Sequence, residues 1–148
     1  MPIDKAQIAG MIPHAGRMCL LDEVVRWDES AIRCRSRSHR EADNPLRAGT
    51  ELPALCGIEY AAQAMAVHGR LAALVGETPR AGYLVAVSDV ICGVSRLDRL
   101  EPDLLIDAER LAGDDERVLY RFALSAGGAE LLQGKATVVL DALGGAAA

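Results

Sequence analysis

Hydrophobic and polar positions along this chain fall into short alternating runs, interrupted once by a long and almost unbroken apolar stretch. Residues from about Asp4 to Met11 carry a helical pattern that should stop at Pro13, because a proline pushes the residue before it out of the helical region. Met18 to Trp27 is rich in strand formers, and Ala31 to His39 alternates small or apolar residues with arginine. The turn-like Trp27-Asp28-Glu29-Ser30 between them predicts a hairpin. Glu41 to Thr50, holding Asn44-Pro45 and Gly49, has no period and reads as a loop. Beyond Gly76-Glu77-Thr78-Pro79-Arg80, four further strands are expected over Gly82 to Cys92, Leu104 to Ala112, Arg117 to Ser125 and Leu131 to Leu140. The turn-forming residues Arg99 to Asp103, Gly113 to Glu116 and Ala126 to Gly128 separate them.

The long apolar stretch runs from Leu52 to Gly69, with Pro53 acceptable in a first helical turn, where its missing N–H is no loss. A helix that is apolar on every side has no face to give to water, so other structure must wrap it. Two strands, one buried helix and four more strands make an α+β domain, an antiparallel sheet of about six strands around one long helix. Residues 1–143 are expected to form this single domain. The glycine and alanine run at 144–148 reads as a frayed tail.

Glu59 is the anomaly in that helix. A carboxylate inside an apolar wrapping is costly unless partnered, and desolvation is expected to raise its pKa. Such an acid is a candidate for proton transfer. Gln63, four residues on, shares its helix face. The same spacing also suits a wet helix edge or an ion pair with an arginine.

Composition narrows the classes. At 148 residues the chain is long enough for one core without disulfides or metal. A net charge of −5 and arginines dispersed among acids leave no basic stripe for nucleic acid. Aromatic residues at 3% argue against a base-stacking or carbohydrate surface. Cys19, Cys34, Cys56 and Cys92 form no CxxC pair and sit in apolar or strand-like runs. That pattern suits a reduced, cytoplasmic setting without a zinc site. No apolar run is long enough for a membrane span, and because Met1 to Gly10 carry no long apolar core after a basic start no signal segment is expected there.

Two motifs carry a family resemblance. Ile12-Pro13-His14-Ala15-Gly16-Arg17-Met18-Cys19-Leu20-Leu21-Asp22-Glu23-Val24 resembles the P-H-x-x-x-x-L-L-D-x-V segment of the 3-hydroxyacyl-acyl carrier protein dehydratases. Pro53-Ala54-Leu55-Cys56-Gly57-Ile58-Glu59-Tyr60-Ala61-Ala62-Gln63 resembles their P-G-x-x-x-x-E-x-x-A-Q helix. With the element order, the chain is similar to the hotdog-fold dehydratases, and closest to the dehydratase-like subfamily of aryl polyene and related polyketide gene sets. The resemblance implies an acyl thioester substrate on the phosphopantetheine arm of acyl carrier protein, or on coenzyme A, and no other cofactor. It implies that Glu59 protonates or orients the departing hydroxyl while a histidine acts as base. Backbone N–H groups from Ala54 to Gly57 would meet charge on the thioester oxygen.

The chain departs from the family at the base. Where relatives carry G-H-F-P, counting back from Pro53 gives Asn44-Pro45-Leu46-Arg47, and Ala54 replaces the glycine after the helix proline. His39, at the end of the second strand, is the nearest substitute or else a solvated strand end. His14 is a second candidate, thought structural in relatives. His68 lies nine residues past Glu59, on the opposite helix face, and reads as structural. Asn44 either polarises the thioester or simply forms a turn. The resemblance further implies edge-to-edge pairing of two subunits through Gly82 to Cys92, with an acyl pocket at the seam. Leu55, Ile58, Met65, Tyr83 and Leu84 are candidates to line it, and Val85, Val87, Val90 and Ile91 suit the pairing. Three readings follow: a dehydratase with a relocated base, a non-catalytic dehydratase-like subunit paired with an active hotdog partner, and a thioesterase.

Overall fold

The computed structural model describes residues 2–12, 18–73, 82–114 and 116–140. A two-residue strand β1 (Ile3–Asp4) leads into helix α1 (Lys5–Ala9), followed by β2 (Glu23–Trp27) and β3 (Ala31–Ser36). After two short 3-10 turns, Ser38–Arg40 and Ala54–Cys56, the chain enters α2 (Gly57–Ala73). It then forms β4 (Gly82–Cys92), β5 (Leu104–Gly113), β6 (Arg117–Ala126) and β7 (Ala129–Leu140). All pairings are antiparallel, in the order β1-β2-β3-β5-β6-β7-β4. β4 follows the helix in sequence yet lies at the far edge of the sheet, beside β7.

Local chemistry sets the boundaries. Asp4 caps α1 by accepting the Gln7 N–H while Gln7 Oε1 accepts the Asp4 N–H, a reciprocal capping box. Gly127 and Gly128, both at positive φ, close the β6–β7 hairpin, a backbone state that favours glycine. On β3, Ile32, Cys34 and Ser36 point inward, whereas Arg33 and Arg35 face outward to Asp107, Glu23 and Asp103. α2 lies across the sheet with Tyr60, Ala61, Ala64, Met65, Val67 and Leu71 buried against Ile106, Phe122, Leu124 and their neighbours.

The antiparallel sheet of about six strands around one long helix is borne out, with seven strands once the two-residue β1 is included. Two boundaries are corrected. The first long strand begins at Glu23 rather than Met18, because the backbone of residues 18–20 is drawn to α2: Gln63 Nε2 donates to Met18 O at 2.6 Å and Leu20 N donates to Gln63 Oε1 at 2.9 Å. β3 ends at Ser36 rather than His39, since Ser36 and Ser38 hydroxyls both donate to Leu20 O, at 2.6 and 2.8 Å, and the chain bends there. Pro13 and His14, the expected helix end at Gly76 to Arg80, and the tail lie outside the described residues. Among the described residues, no helix is long and apolar enough to cross a membrane.

Candidate active site

The turn Ala54–Cys56 delivers the chain into α2 and places Glu59 in the helix's first turn. Glu59 is half-buried and makes no hydrogen bond or ion pair among the described residues. It lies on the one α2 stripe that the sheet leaves partly open, with Ala62 and Ala66 half-buried and Gly69 and Arg70 exposed. Of the two settings the sequence allowed, an apolar wrapping and a wet helix edge, Glu59 takes one in between. Cys56, one turn earlier, lies close enough that burial first, and then the charge of Glu59, push its thiol up. Its Sγ donates to Leu46 O at 3.7 Å.

The N–H groups around the helix start are mostly taken. Ala54 N donates to Ser95 O, Cys56 N to Pro53 O and Gly57 N to Ala54 O. The Leu55 N–H finds no acceptor among the described residues, and the Leu55 side chain is 59% exposed. Of the donors expected to face a thioester oxygen, this one stays available beside Glu59's turn.

Two other expected site residues have their amides committed to the fold. Gln63 is buried, with both ends of its carboxamide on the backbone of residues 18–20. Asn44 is also buried: Nδ2 donates to Ser38 O at 2.9 Å and to the Tyr60 hydroxyl at 3.0 Å, while Oδ1 accepts the Leu46 N–H at 2.9 Å. A turn-forming asparagine was legible from Asn44-Pro45. Its tie to Tyr60 was not.

His39 is fully buried rather than a solvated strand end. Its Nε2 sits 2.9 Å from Leu100 O and so carries the proton, which leaves Nδ1 as a lone pair with no partner. Burial, outweighing the carbonyl contact, holds its pKa below the ordinary imidazole value. His68 is buried within α2, with Nε2 2.8 Å from Asp28 O and Nδ1 2.7 Å from the Tyr120 hydroxyl. Both imidazoles are built into the interior. Cys34 is likewise a core residue, its thiol pushed up by burial to about 12.

β4 is exposed along nearly its whole length, with Tyr83 at 56%, Val85 at 57% and Ile91 at 62%. Leu84, on the face opposite Tyr83, and Val90 are each 37% exposed. Of the expected pocket lining, Met65 belongs to the core, Ile58 is half-buried, and Leu55, Tyr83 and Leu84 are open. A cavity of about 320 Å³ on the far side of the sheet, lined by Trp27, Arg33, Asp107, Glu109 and Arg121, holds none of the expected site residues.

The profile described as ApeP-like, ApeP dehydratase, matches residues 6–143. No curated protein matches the chain. Among solved structures, a chain of the dehydratase heterocomplex ApeI:P from Xenorhabdus doucetiae superimposes with a TM-score of 0.78 at 22% identity, covering 91% of each chain. A thioesterase from Haemophilus influenzae gives 0.67 at 7% identity, covering 95% of this chain and 92% of its own. Zebra fish thioesterase superfamily member 2 gives 0.64 at 16% identity, covering 93% and 95%. At such identities the likeness establishes a shared fold, the hotdog, and nothing of substrate. The profile match goes further, because it takes in α2 with its Glu59 motif and every strand from β2 to β7: this chain belongs to the ApeP-like dehydratase family.

Proposed function

We propose that this chain is one subunit of a two-subunit 3-hydroxyacyl-thioester dehydratase, supplying the acid while a second hotdog subunit supplies the base. The single observation that carries this reading is the half-open setting of Glu59. Glu59, which has no hydrogen-bond partner among the described residues, stands one turn after the spare N–H and exposed side chain of Leu55, in a subunit whose β4 is an apolar edge strand. The buried histidines of this chain are engaged elsewhere. Pairing β4 with the edge strand of another hotdog subunit, as the heterocomplex in the name of its structural relative suggests, would close the site around a substrate.

In the proposed reaction the partner's base removes a proton from the carbon next to the thioester carbonyl. The electron pair forms the new carbon–carbon double bond and the C3–oxygen bond breaks. Glu59 gives its proton to the departing hydroxyl, which leaves as water. The Leu55 N–H, at the positive end of α2, meets the charge that builds on the thioester oxygen. The acyl group is carried on acyl carrier protein phosphopantetheine, with coenzyme A thioesters as close analogues, in cytoplasmic fatty acid or aryl polyene-type polyketide synthesis.

The test is to purify the chain with and without a co-expressed hotdog dehydratase subunit and follow a 3-hydroxyacyl-acyl carrier protein by mass spectrometry. Loss of water by the complex, with Glu59→Gln slowing it by roughly 10²–10⁴-fold, is the expected result. Release of free acid would instead make the protein a thioesterase. Unimpaired dehydration by Glu59→Gln would reduce it to a pairing subunit.

A further inference from the structure

A sealed chain of hydrogen bonds passes through Tyr60, the residue after Glu59, and its direction follows from its ends. Asn44 Nδ2 can only donate and Leu20 O can only accept. The Tyr60 hydroxyl therefore accepts from Asn44 at 3.0 Å and donates to Ser38 Oγ at 2.9 Å, which in turn donates to Leu20 O at 2.8 Å. Tyr60 is wholly buried and Ser38 and Asn44 nearly so. A phenylalanine would fill the same volume and need none of these partners. The chain nevertheless places a hydroxyl there, with Asn44 in the loop segment that corresponds to the family's histidine motif.

What the network joins is informative. Through Asn44 Oδ1 it fixes Leu46, whose carbonyl accepts the Cys56 thiol one turn before Glu59. Through Leu20 it fixes the segment that also grips Gln63, one turn after Tyr60. Tyr60 directly follows Glu59, so holding its hydroxyl fixes the rotation of the first turn of α2 about the helix axis.

Resting on the functional reading above, we propose that Tyr60 is a positioning residue for the dehydration: its anchored hydroxyl sets the direction in which Glu59 meets the substrate. Positioning errors of about an ångström are enough to cost on the order of 10²-fold in rate. A residue that only stabilises the fold has no such leverage.

The experiment compares Glu59→Gln, Tyr60→Phe, Ser38→Ala and Tyr120→Phe in the complex with the hotdog partner, assayed on a 3-hydroxyacyl-acyl carrier protein. Tyr120→Phe is the control, because it strips a buried hydroxyl from His68 and not from the Glu59 turn. Tyr60→Phe and Ser38→Ala are expected to lower kcat by about tenfold or more at unchanged KM. Tyr120→Phe is expected to lower the melting temperature while leaving kcat in place. Should Tyr60→Phe and Ser38→Ala lose no more kcat than Tyr120→Phe, the positioning role is overturned. Full turnover by Glu59→Gln would overturn both the functional reading and this inference. An inactive Glu59→Gln beside an unimpaired Tyr60→Phe overturns the inference alone, and Ser38→Ala decides the matter if Tyr60→Phe does not fold.

Discussion

Burial separates Glu59 and His39, the two of the three residues nominated for proton transfer that lie among the described residues. His39 is sealed with its Nε2 proton on Leu100 O, and burial makes its ring harder to protonate in the folded protein than in the unfolded chain. The unfolded chain therefore takes up a proton first as pH falls. Stability from this group is complete above about 6.5, the ordinary imidazole value, and is lost as pH drops through the lower folded value. Chemical denaturation from pH 7.5 to pH 5 should show this slope, at most about 1.4 kcal/mol per pH unit. His39→Gln, which keeps a donor for Leu100 O, should remove His39's share of it. Glu59 in contrast stands at a half-covered position. Sequence patterning identified Glu59 as exceptional because one acid in an apolar run is visible by itself. It could not separate a buried His39 from a solvated one, since both end a strand in the same letters. The carboxamides of Gln63 and Asn44 were legible as polar residues near the site, but their partners lie 43 to 45 and 16 residues away and only folding reveals them.

At the scale of elements, the start of α2 is fixed by contact as much as by capping. A Cβ on Gly57 would lie 2.8 Å from Leu132 Cδ2 and 2.9 Å from Leu124 Cδ2, and both leucines are fully buried. The helix can approach the sheet this closely only because no side chain stands between them. Gly57→Val should destabilise the domain by about 1–3 kcal/mol through overpacking, measured by urea denaturation. Asp98 braces the same region from the other side: it accepts the Leu52 N–H at 2.8 Å and pairs with Arg96 through both oxygens, which holds its carboxyl well below the usual range. The types of the long elements were readable because alternation and the apolar run are strong signals, whereas the two-residue β1 and the 3-10 turns were too short to leave one. Their ends were less so. β2 is shorter than its strand-forming residues suggest because Gln63 and two serines capture the backbone of residues 18–20.

Across the whole molecule, the decisive asymmetry is between the two edges of the sheet. β1 is two residues long, whereas β4 presents eleven residues with apolar side chains on both faces. Long, apolar, uncovered edges are where sheets acquire neighbours. Replacing Val85 and Ile91 together by lysine should weaken association with a second hotdog subunit, read as a shift toward monomer in analytical ultracentrifugation, while leaving the far-UV spectrum of the chain intact. The hotdog order was legible from the sequence of strands around one helix. A pocket beside Glu59 was not, and the cavity lined by Trp27, Arg33, Asp107, Glu109 and Arg121 holds none of the expected site residues.

The pairing of β4 with β7 has a consequence for how the protein comes into being. β7 is the last of the described strands to be synthesised, so a growing chain must release β4 on the ribosome before the strand that will flank it exists. During that interval both borders of an apolar ribbon are unsatisfied and open to capture by other nascent chains. If the proposed companion subunit is already present in the cell, it meets this chain at its most adhesive moment, and the timing of translation then bears on pairing alongside affinity.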